Sequence, residues 1–341
     1  MREPAIECDF LMGSKKIRAA VQVNAPEFRE KLLGWYDANA RELPWRKDRD
    51  PYRVWVSEIM LQQTRVAAVI EHYHAFLKRF PTVQKLASAR QSSVLAAWSG
   101  LGYYRRARML HAAAKVVARD RGGEFPSTAE GWMDLPGIGR YTSAAIASIA
   151  FGEPIAVVDG NVERVLQRVL GERLAGDKVW VAAEELLGRE RPGDFNQAMM
   201  ELGATVCMPR SPVCLMCPVI ELCATRGEMA GMGKSIPQKK REIHYALSCE
   251  DDRVTLVQRP ADASLMAGMW ELPEIPRPGD HENPIFKVRH SITVTDYVVS
   301  VWRTAVPHGV PKQRVAKGRL AQLALTGLAR KILRKAEILQ R

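Results

Sequence analysis

The chain has 341 residues, 47% hydrophobic and 26% charged, an ordinary globular composition with room for two domains and sizeable cores. Its formal net charge of +12 says nothing about fold but makes a polyanion the expected partner. It has no apolar run of about 18 residues, and its start lacks the apolar core of a signal peptide. A membrane-spanning protein is therefore set aside, and a soluble one in the cytoplasm is expected.

Residues 1–25 read as a flexible basic arm. From Glu27 the pattern turns helical, with Phe28, Leu32, Leu33 and Tyr36 at helix spacing. A loop, Leu43-Pro44-Trp45-Arg46, follows. It is either a packed tryptophan beside a surface arginine or the wall of a base pocket. Val54 to Phe80 predicts one helix, and Glu58 lies in it among Val54, Trp55, Ile59, Met60 and Leu61. Such a carboxylate sits either at the polar edge of the helix or inside, where desolvation raises its pKa. More helices run to Arg121, interrupted by Ser99-Gly100-Leu101-Gly102-Tyr103-Tyr104-Arg105-Arg106. This stretch is either a nucleic-acid contact or a helix N-terminus with a packed tyrosine pair.

Leu135-Pro136-Gly137-Ile138-Gly139 is a tight turn opening an Ala- and Ile-rich helix, and its backbone N–H groups favour an anion. The apolar Ile155–Val158 segment ends on Asp159-Gly160-Asn161, where another helix begins. Asp159 is there either as a plain N-cap or as a functional acid. Helices continue through Phe195–Leu202. Residues 27–225 have no strand-like alternation, so this part reads as all-α.

Cys207, Cys214, Cys217 and Cys223 are spaced C-x6-C-x2-C-x5-C. Four cysteines in one loop of an intracellular chain predict a metal site, and spacing leaves zinc and an iron–sulfur cluster both open. Cys8 and Cys249 read as ordinary thiols. Residues 228–243, rich in glycine and basic side chains, read as a linker. Beyond it the pattern is strand-like at His244–Leu247, Val254–Gln258, Phe286–Val288 and Thr293–Trp302, and a helix is expected at Arg319–Leu339. Nine Lys/Arg against one Glu over residues 311–341 make this end basic, either as a solvated face or as a DNA contact.

Leu135–Gly139 with its Ala-rich helix, followed by Val157-Val158-Asp159-Gly160-Asn161-Val162, resembles the helix-hairpin-helix plus Asp motif of DNA glycosylases. The cysteine spacing is similar to the 4Fe-4S loop of the endonuclease III-like branch. LPWR at 43–46, SEIMLQQT at 57–64, GLGYYRRAR at 100–108 and FNQAMMELGA at 195–204 resemble adenine DNA glycosylases of the MutY family. Residues 244–341, with Leu265–Pro273, resemble the Nudix-like domain of that family. The implied fold is an all-α helix-hairpin-helix glycosylase domain over 26–227, with the hairpin at about 128–150 and an iron–sulfur loop at 207–223. A smaller α+β Nudix-like domain follows at 244–341.

The resemblance implies a base-excision-repair enzyme that flips out and removes adenine mispaired with 8-oxoguanine or guanine. It implies Glu58 as general acid, Asp159 as the carboxylate that stabilises the anomeric carbon, and Tyr141 and Asn161 as positioning groups. Trp45, Arg46 and Glu201 would line the adenine pocket, and Gln63 and Tyr103 would wedge into the duplex. Gly137, Gly139 and Arg210 would meet the DNA backbone. The four cysteines would hold one 4Fe-4S cluster of structural role. Tyr141 stands where lyase-active relatives carry a Schiff-base lysine, which implies a monofunctional enzyme. The Glu-rich helix of true Nudix hydrolases is absent after Pro273, which implies no pyrophosphatase activity. Where the family has Phe-Ser-His after an Arg-His pair, this chain has Ser291-Ile292-Thr293-Val294 after Arg289-His290. Thr293 would supply the hydroxyl and Ile292 the wedge, but the histidine is missing, so lesion discrimination would be weaker or differently built. A monomer bound to mispaired duplex DNA is expected, with no membrane contact, and a sliding clamp is a reasonable further partner. The rival readings are a thymine-removing T·G enzyme and a lesion-binding protein without catalysis.

Overall fold

The computed structural model describes residues 23–229, 239–279, 283–292, 295–306, 309 and 311–339. Most of the expected arm and linker, Cys8 and Thr293 lie outside the described residues.

Within 23–229 the regular structure is helical, in the order α1 (Ala25–Asn39), α2 (Pro51–Leu61), α3 (Val66–Arg79), α4 (Val83–Ser88), α5 (Gln91–Ala97), α6 (Arg105–Asp120), α7 (Ala129–Met133), α8 (Arg140–Phe151), α9 (Gly160–Leu170), α10 (Asp177–Leu186) and α11 (Pro192–Thr205). Helix α1 begins at Ala25, capped by Asn24, so the arm ends sooner than expected. The single helix expected over 54–80 is two, because the chain turns at Gln62–Arg65 with Gln63 at a φ of 55°. That break has neither glycine nor proline, so spacing alone does not mark it.

Two cores hold the helices. Helices α2 to α8 enclose one around Trp55, Phe76, Trp98 and Trp132. Helices α1, α9, α10 and α11 enclose the other, to which α9 contributes Val162, Val165, Leu166 and Val169 from one face. Each such side chain stabilises the fold by ~1.5–3 kcal/mol. Met200 on α11 packs against both cores, and the candidate site lies at the seam between them.

The C-terminal domain is α+β. Its strands are β1 (Lys239–Ala246), β2 (Cys249–Glu250), β3 (Arg253–Gln258), β4 (Trp270–Glu271), β5 (Glu274–Ile275), β6 (Phe286–Ile292), β7 (Thr295–Trp302) and β8 (Gln313–Ala316). One sheet runs β5-β1-β7-β6, with β1 and β7 parallel in register from Lys239↔Thr295 to Ala246↔Trp302. Strands β2, β3 and β4 form the other, with β8 on β3. Strand β1 begins at Lys239, inside the expected linker.

The expected helix over 319–339 is shorter. A 3₁₀ segment covers Lys317–Gln322, and α12 runs Gly327–Lys335 behind the cap Thr326. Its buried face is Leu328, Ala329, Ile332 and Leu333. Its cations are largely engaged. Lys331 and Lys335 donate to the carbonyls of Arg289 and Lys287, and Arg330 reaches Ser99 in the helical domain. The basic end is thus partly a packing device. Among the described residues no helix is long and apolar enough to cross a membrane.

Candidate active site

A cavity of about 1300 Å³ opens between the cores and is also lined by the C-terminal domain. Glu58, Tyr141, Asp159, Asn161, Trp45, Arg46, Glu201, Gln63, Tyr103 and Gly137 all line it. The motifs scattered along the sequence therefore converge on one place.

Glu58 lies in α2, the helix that brings Val54, Trp55, Ile59 and Met60 into the core. Its burial is real: the side chain is 5% exposed, so the solvated-edge reading fails. Burial pushes its carboxyl up to about 7, the charge of Asp159 adds to that, and the Tyr141 hydrogen bond and Arg46 oppose it. The Tyr141 hydroxyl, from the second residue of α8, donates to Glu58 Oε2 across 2.8 Å and also lies 3.5 Å from Met200 Sδ. Burial, followed by the Glu58 charge, holds the Tyr141 phenol well above its usual range.

Asp159 is the cap of α9, and it also lines the cleft. The Asn196 side chain holds the incoming segment, accepting from Val157 N–H and donating to the Ile155 carbonyl. At the start of α9, Asp159 Oδ1 accepts from the N–H groups of Asn161 and Val162, each at 2.8 Å. Its Oδ2 accepts from Asn161 Nδ2 at 2.8 Å. Three N–H donors and a helix N-terminus thus point at one carboxyl. Arg164 fixes Asn161 in turn, donating to Asn161 Oδ1 at 2.9 Å, to the Gly203 carbonyl at 2.6 Å and to the Cys207 carbonyl at 2.8 Å.

Glu201 is 1% exposed, and its oxygens are taken by Arg41 at 2.6 and 2.8 Å and by Arg46 at 2.9 Å. Burial pushes its carboxyl up, but the bonds from Arg41 and Arg46 outweigh that and leave it below the ordinary range. Glu201 therefore acts mainly as an anchor for two arginines in the pocket wall. Arg41 is missed by the sequence reading. It precedes the LPWR motif by two residues and meets a partner 160 positions away. Trp45 is buried edge-on against Tyr73, with ring centroids 5.5 Å apart.

Gln63 and Tyr103 are exposed at the mouth, each with a left-handed backbone at φ of 55° and 46°. Such torsions are strained for non-glycine residues and gather at functional sites. Tyr104, by contrast, is buried, so only Tyr103 of the pair is open to solvent. Arg106 ties both loops together. It donates to the Met60, Gln62, Leu101 and Gly102 carbonyls and to Thr64 Oγ1.

The hairpin glycines differ. Gly137 has a φ of 78°, and a Cβ there would lie 2.3 Å from Met109 Cβ, so the turn requires glycine. Gly139 has an ordinary φ of −111° and open space around it, so the torsional demand expected there is absent. It caps α8 with no side-chain bond, leaving the helix amides accessible to a bound anion. Arg210 is exposed on the cysteine loop.

Cys207, Cys214, Cys217 and Cys223 line one small cavity with Arg168, Val165, Leu202 and Val219. Among the described residues no three His, Cys, Asp or Glu side chains are placed to share a single metal ion. Arg168 lies 3.3 Å from Cys207 Sγ, and its Nε is buried without a protein partner. Four thiols and an unsatisfied cationic N–H around one pocket fit an anionic thiolate-bound group.

His290, Ser291 and Leu265 of the C-terminal domain reach the main cavity. The altered loop is only partly visible, since Thr293 and Val294 lie outside the described residues.

Residues 56–181 match the HhH-GPD superfamily base excision DNA repair protein family. The human adenine DNA glycosylase is 51% identical over 214 residues, covering 58% of this chain and 39% of its own length. The mouse adenine DNA glycosylase is 42% identical over 311 residues, covering 73% of this chain and 60% of its own length. The chain thus spans less than two thirds of either relative. Among solved structures, a thermostable thymine-DNA glycosylase is 32% identical with a TM-score of 0.56, over 59% of this chain and 96% of that one. A non-covalent endonuclease III–DNA complex, 23% identical with a TM-score of 0.52 over 60% of this chain and 97% of that one, shares the fold. The α2–α11 scaffold, the hairpin at α8 and these relatives agree: the chain belongs to the HhH-GPD superfamily of base excision DNA repair proteins, and the curated relatives it is similar to are adenine DNA glycosylases.

Proposed function

We propose that this protein excises adenine opposite 8-oxoguanine or guanine in duplex DNA and leaves the sugar–phosphate strand intact. Glu58 carries the proposal. It is a buried carboxyl pushed up to about 7, sharing a cleft with the hydrogen-bonded carboxyl of Asp159. Breaking an N-glycosidic bond needs an acid for the leaving base and a carboxylate for the cationic sugar, the division of labour known from glycoside hydrolysis.

Adenine enters the pocket after leaving the stack, a step that costs a few kcal/mol. Trp45, Arg46 and Glu201 bound the pocket, and Trp45 and Arg46 orient the base while Glu201 anchors Arg46. Glu58 gives its proton to a ring nitrogen of adenine, and the bond from the anomeric carbon to the base breaks with its electron pair going to the base. Asp159, held by Asn161 and Val162, stabilises the positive charge left on the sugar. Water adds to that carbon, its proton passes to a carboxylate, and an abasic site remains. Tyr141 is a phenol at the hairpin position and cannot form an imine with the sugar, which supports hydrolysis without strand cleavage.

The four cysteines are proposed to hold a 4Fe-4S cluster, which would fold the loop bearing Arg210 toward the DNA backbone. The four thiols share one small cavity with the Arg168 guanidinium, which supports this reading. Purified protein is expected to be brown, with a broad visible band and about four irons per chain. Colourless protein with stoichiometric zinc would remove the cluster from the account.

Duplexes carrying A opposite 8-oxoguanine, A opposite guanine and T opposite guanine test the function. Breaks at adenine that appear only after hot alkali are expected. Cutting at T·G would move the protein toward the thymine-removing activity of its structural neighbour, and tight binding without cutting would make it a lesion-binding protein.

A further inference from the structure

The Ser99–Tyr104 loop carries Tyr103 at the cavity mouth in an unusual backbone. Gly100, Gly102 and Tyr103 have φ of 115°, 70° and 46°. Glycine takes such torsions freely, but a tyrosine keeps one only where its surroundings impose it. Inside the helical domain, Arg106 donates to the carbonyls of Leu101 and Gly102 at 3.2 and 3.3 Å. The flanks of the loop are held by the other domain. Ser99 Oγ donates to the Leu325 carbonyl at 2.7 Å, and the Tyr104 hydroxyl donates to the same oxygen at 3.2 Å. Arg330 Nε donates to Ser99 Oγ at 2.9 Å.

These bonds are well placed to transmit force. Ser99, Tyr104 and Leu325 are all buried, so water does not readily replace a lost partner. The acceptor is itself rigid. Trp270 N–H donates to the Ala324 carbonyl, and Thr326 N–H to the Trp270 carbonyl, each at 2.9 Å. The short lever from Ser99 to Tyr104 is therefore bolted at both ends to one carbonyl of the C-terminal domain, with the exposed Tyr103 between the bolts.

We propose that Ser99, Tyr104 and Arg330 form a latch through which the C-terminal domain holds Tyr103 in its wedging conformation. This rests on the reading of Tyr103 as a duplex wedge. The domain then acts on base extrusion in addition to any contact with the lesion. The latch residues are positioning groups: they act through Tyr103 and touch no reacting atom. Because Ser99, Tyr104 and Arg330 act through Tyr103, loss of the latch affects A·8-oxoguanine and A·G duplexes alike.

The test uses the full chain and single-turnover adenine release from both duplexes, with 2-aminopurine beside the target adenine to report unstacking. Tyr103→Ala is expected to slow release and blunt the fluorescence rise. Ser99→Ala is expected to slow release about tenfold on both duplexes, the scale of one or two lost hydrogen bonds, and to blunt the same signal. Ser99→Thr, which keeps the hydroxyl, restores both. In a Tyr103→Ala background, Ser99→Ala then adds less than about twofold, because the two act as one unit. Equal losses with and without Tyr103, or a lower melting temperature with unchanged release and fluorescence, overturns the latch while leaving the wedge in place. Unchanged release in Tyr103→Ala itself overturns the wedge reading and the latch built on it.

Discussion

Tyr141 donates its hydroxyl hydrogen to Glu58 across 2.8 Å, joining the hairpin helix α8 to the helix carrying the buried acid. The bond holds Glu58 below the value that burial alone would set. Removing it should make Glu58 a weaker acid. Tyr141→Phe is therefore expected to move the descending alkaline limb of the pH–rate profile upward, with a lower maximal rate because the carboxyl is less well oriented. An unmoved limb would show that the phenol does not tune Glu58.

The same burial sets a stability prediction. The carboxyl of Glu58 rises from an ordinary 4.5 to about 7, so the fold prefers its neutral form. Its stabilising contribution is full below about 4.5 and is lost as pH rises through about 7. Glu58→Gln keeps a neutral side chain of similar shape. Its melting temperature is expected to match wild type near pH 4.5 and exceed it above pH 7, with a difference on the order of 2–3 kcal/mol. Equal melting curves across that range would mean that Glu58 is solvated.

Arg164 links the end of α11 and the first cysteine to Asn161, and through Asn161 to Asp159. Arg164→Gln is expected to slow adenine release by about tenfold or more, since a buried charge-assisted contact is lost and Asp159 is oriented less well. Binding to undamaged duplex should change little. Weaker binding with an unaltered single-turnover rate would place Arg164 in DNA contact instead.

Arg210 is exposed on the cysteine loop and is proposed to meet a phosphate. Arg210→Ala should weaken binding to matched and mispaired duplexes equally. The slope of log K against log salt should become shallower by about one. An unchanged slope would remove this contact.

The helical fold was legible from periodicity and turn residues, while the pairing of the two carboxylates in one cleft was legible only through the family resemblance, since local spacing left each of them two readings. Gly137 fits only a left-handed turn and Asp159 caps α9, whereas the apolar neighbours of Glu58 left its polar-edge and buried readings both open until the packing of α2 decided between them. The long-range partners were not legible. Arg41, Arg106 and Arg164 look like surface cations in sequence, yet each ends on acceptors supplied by other elements. The break at Gln62–Arg65 was hidden for a related reason. No local breaker marks it, and its geometry is held by Arg106 from another helix. In the C-terminal domain, periodicity found β1, β3, β6 and β7 but not the four-residue β8 or the two-residue strands β2, β4 and β5, which are too short to alternate clearly.

The most direct measurement is the release of free adenine from a duplex with A opposite 8-oxoguanine, followed across pH in single turnovers for wild type and Glu58→Gln. The wild type should release adenine with a rate that falls above about pH 7, and Glu58→Gln should be slower by ~10²–10⁴-fold at every pH below that limb. A Glu58→Gln rate equal to wild type, or no adenine released by either, would contradict the assignment of Glu58 as the acid that expels the base.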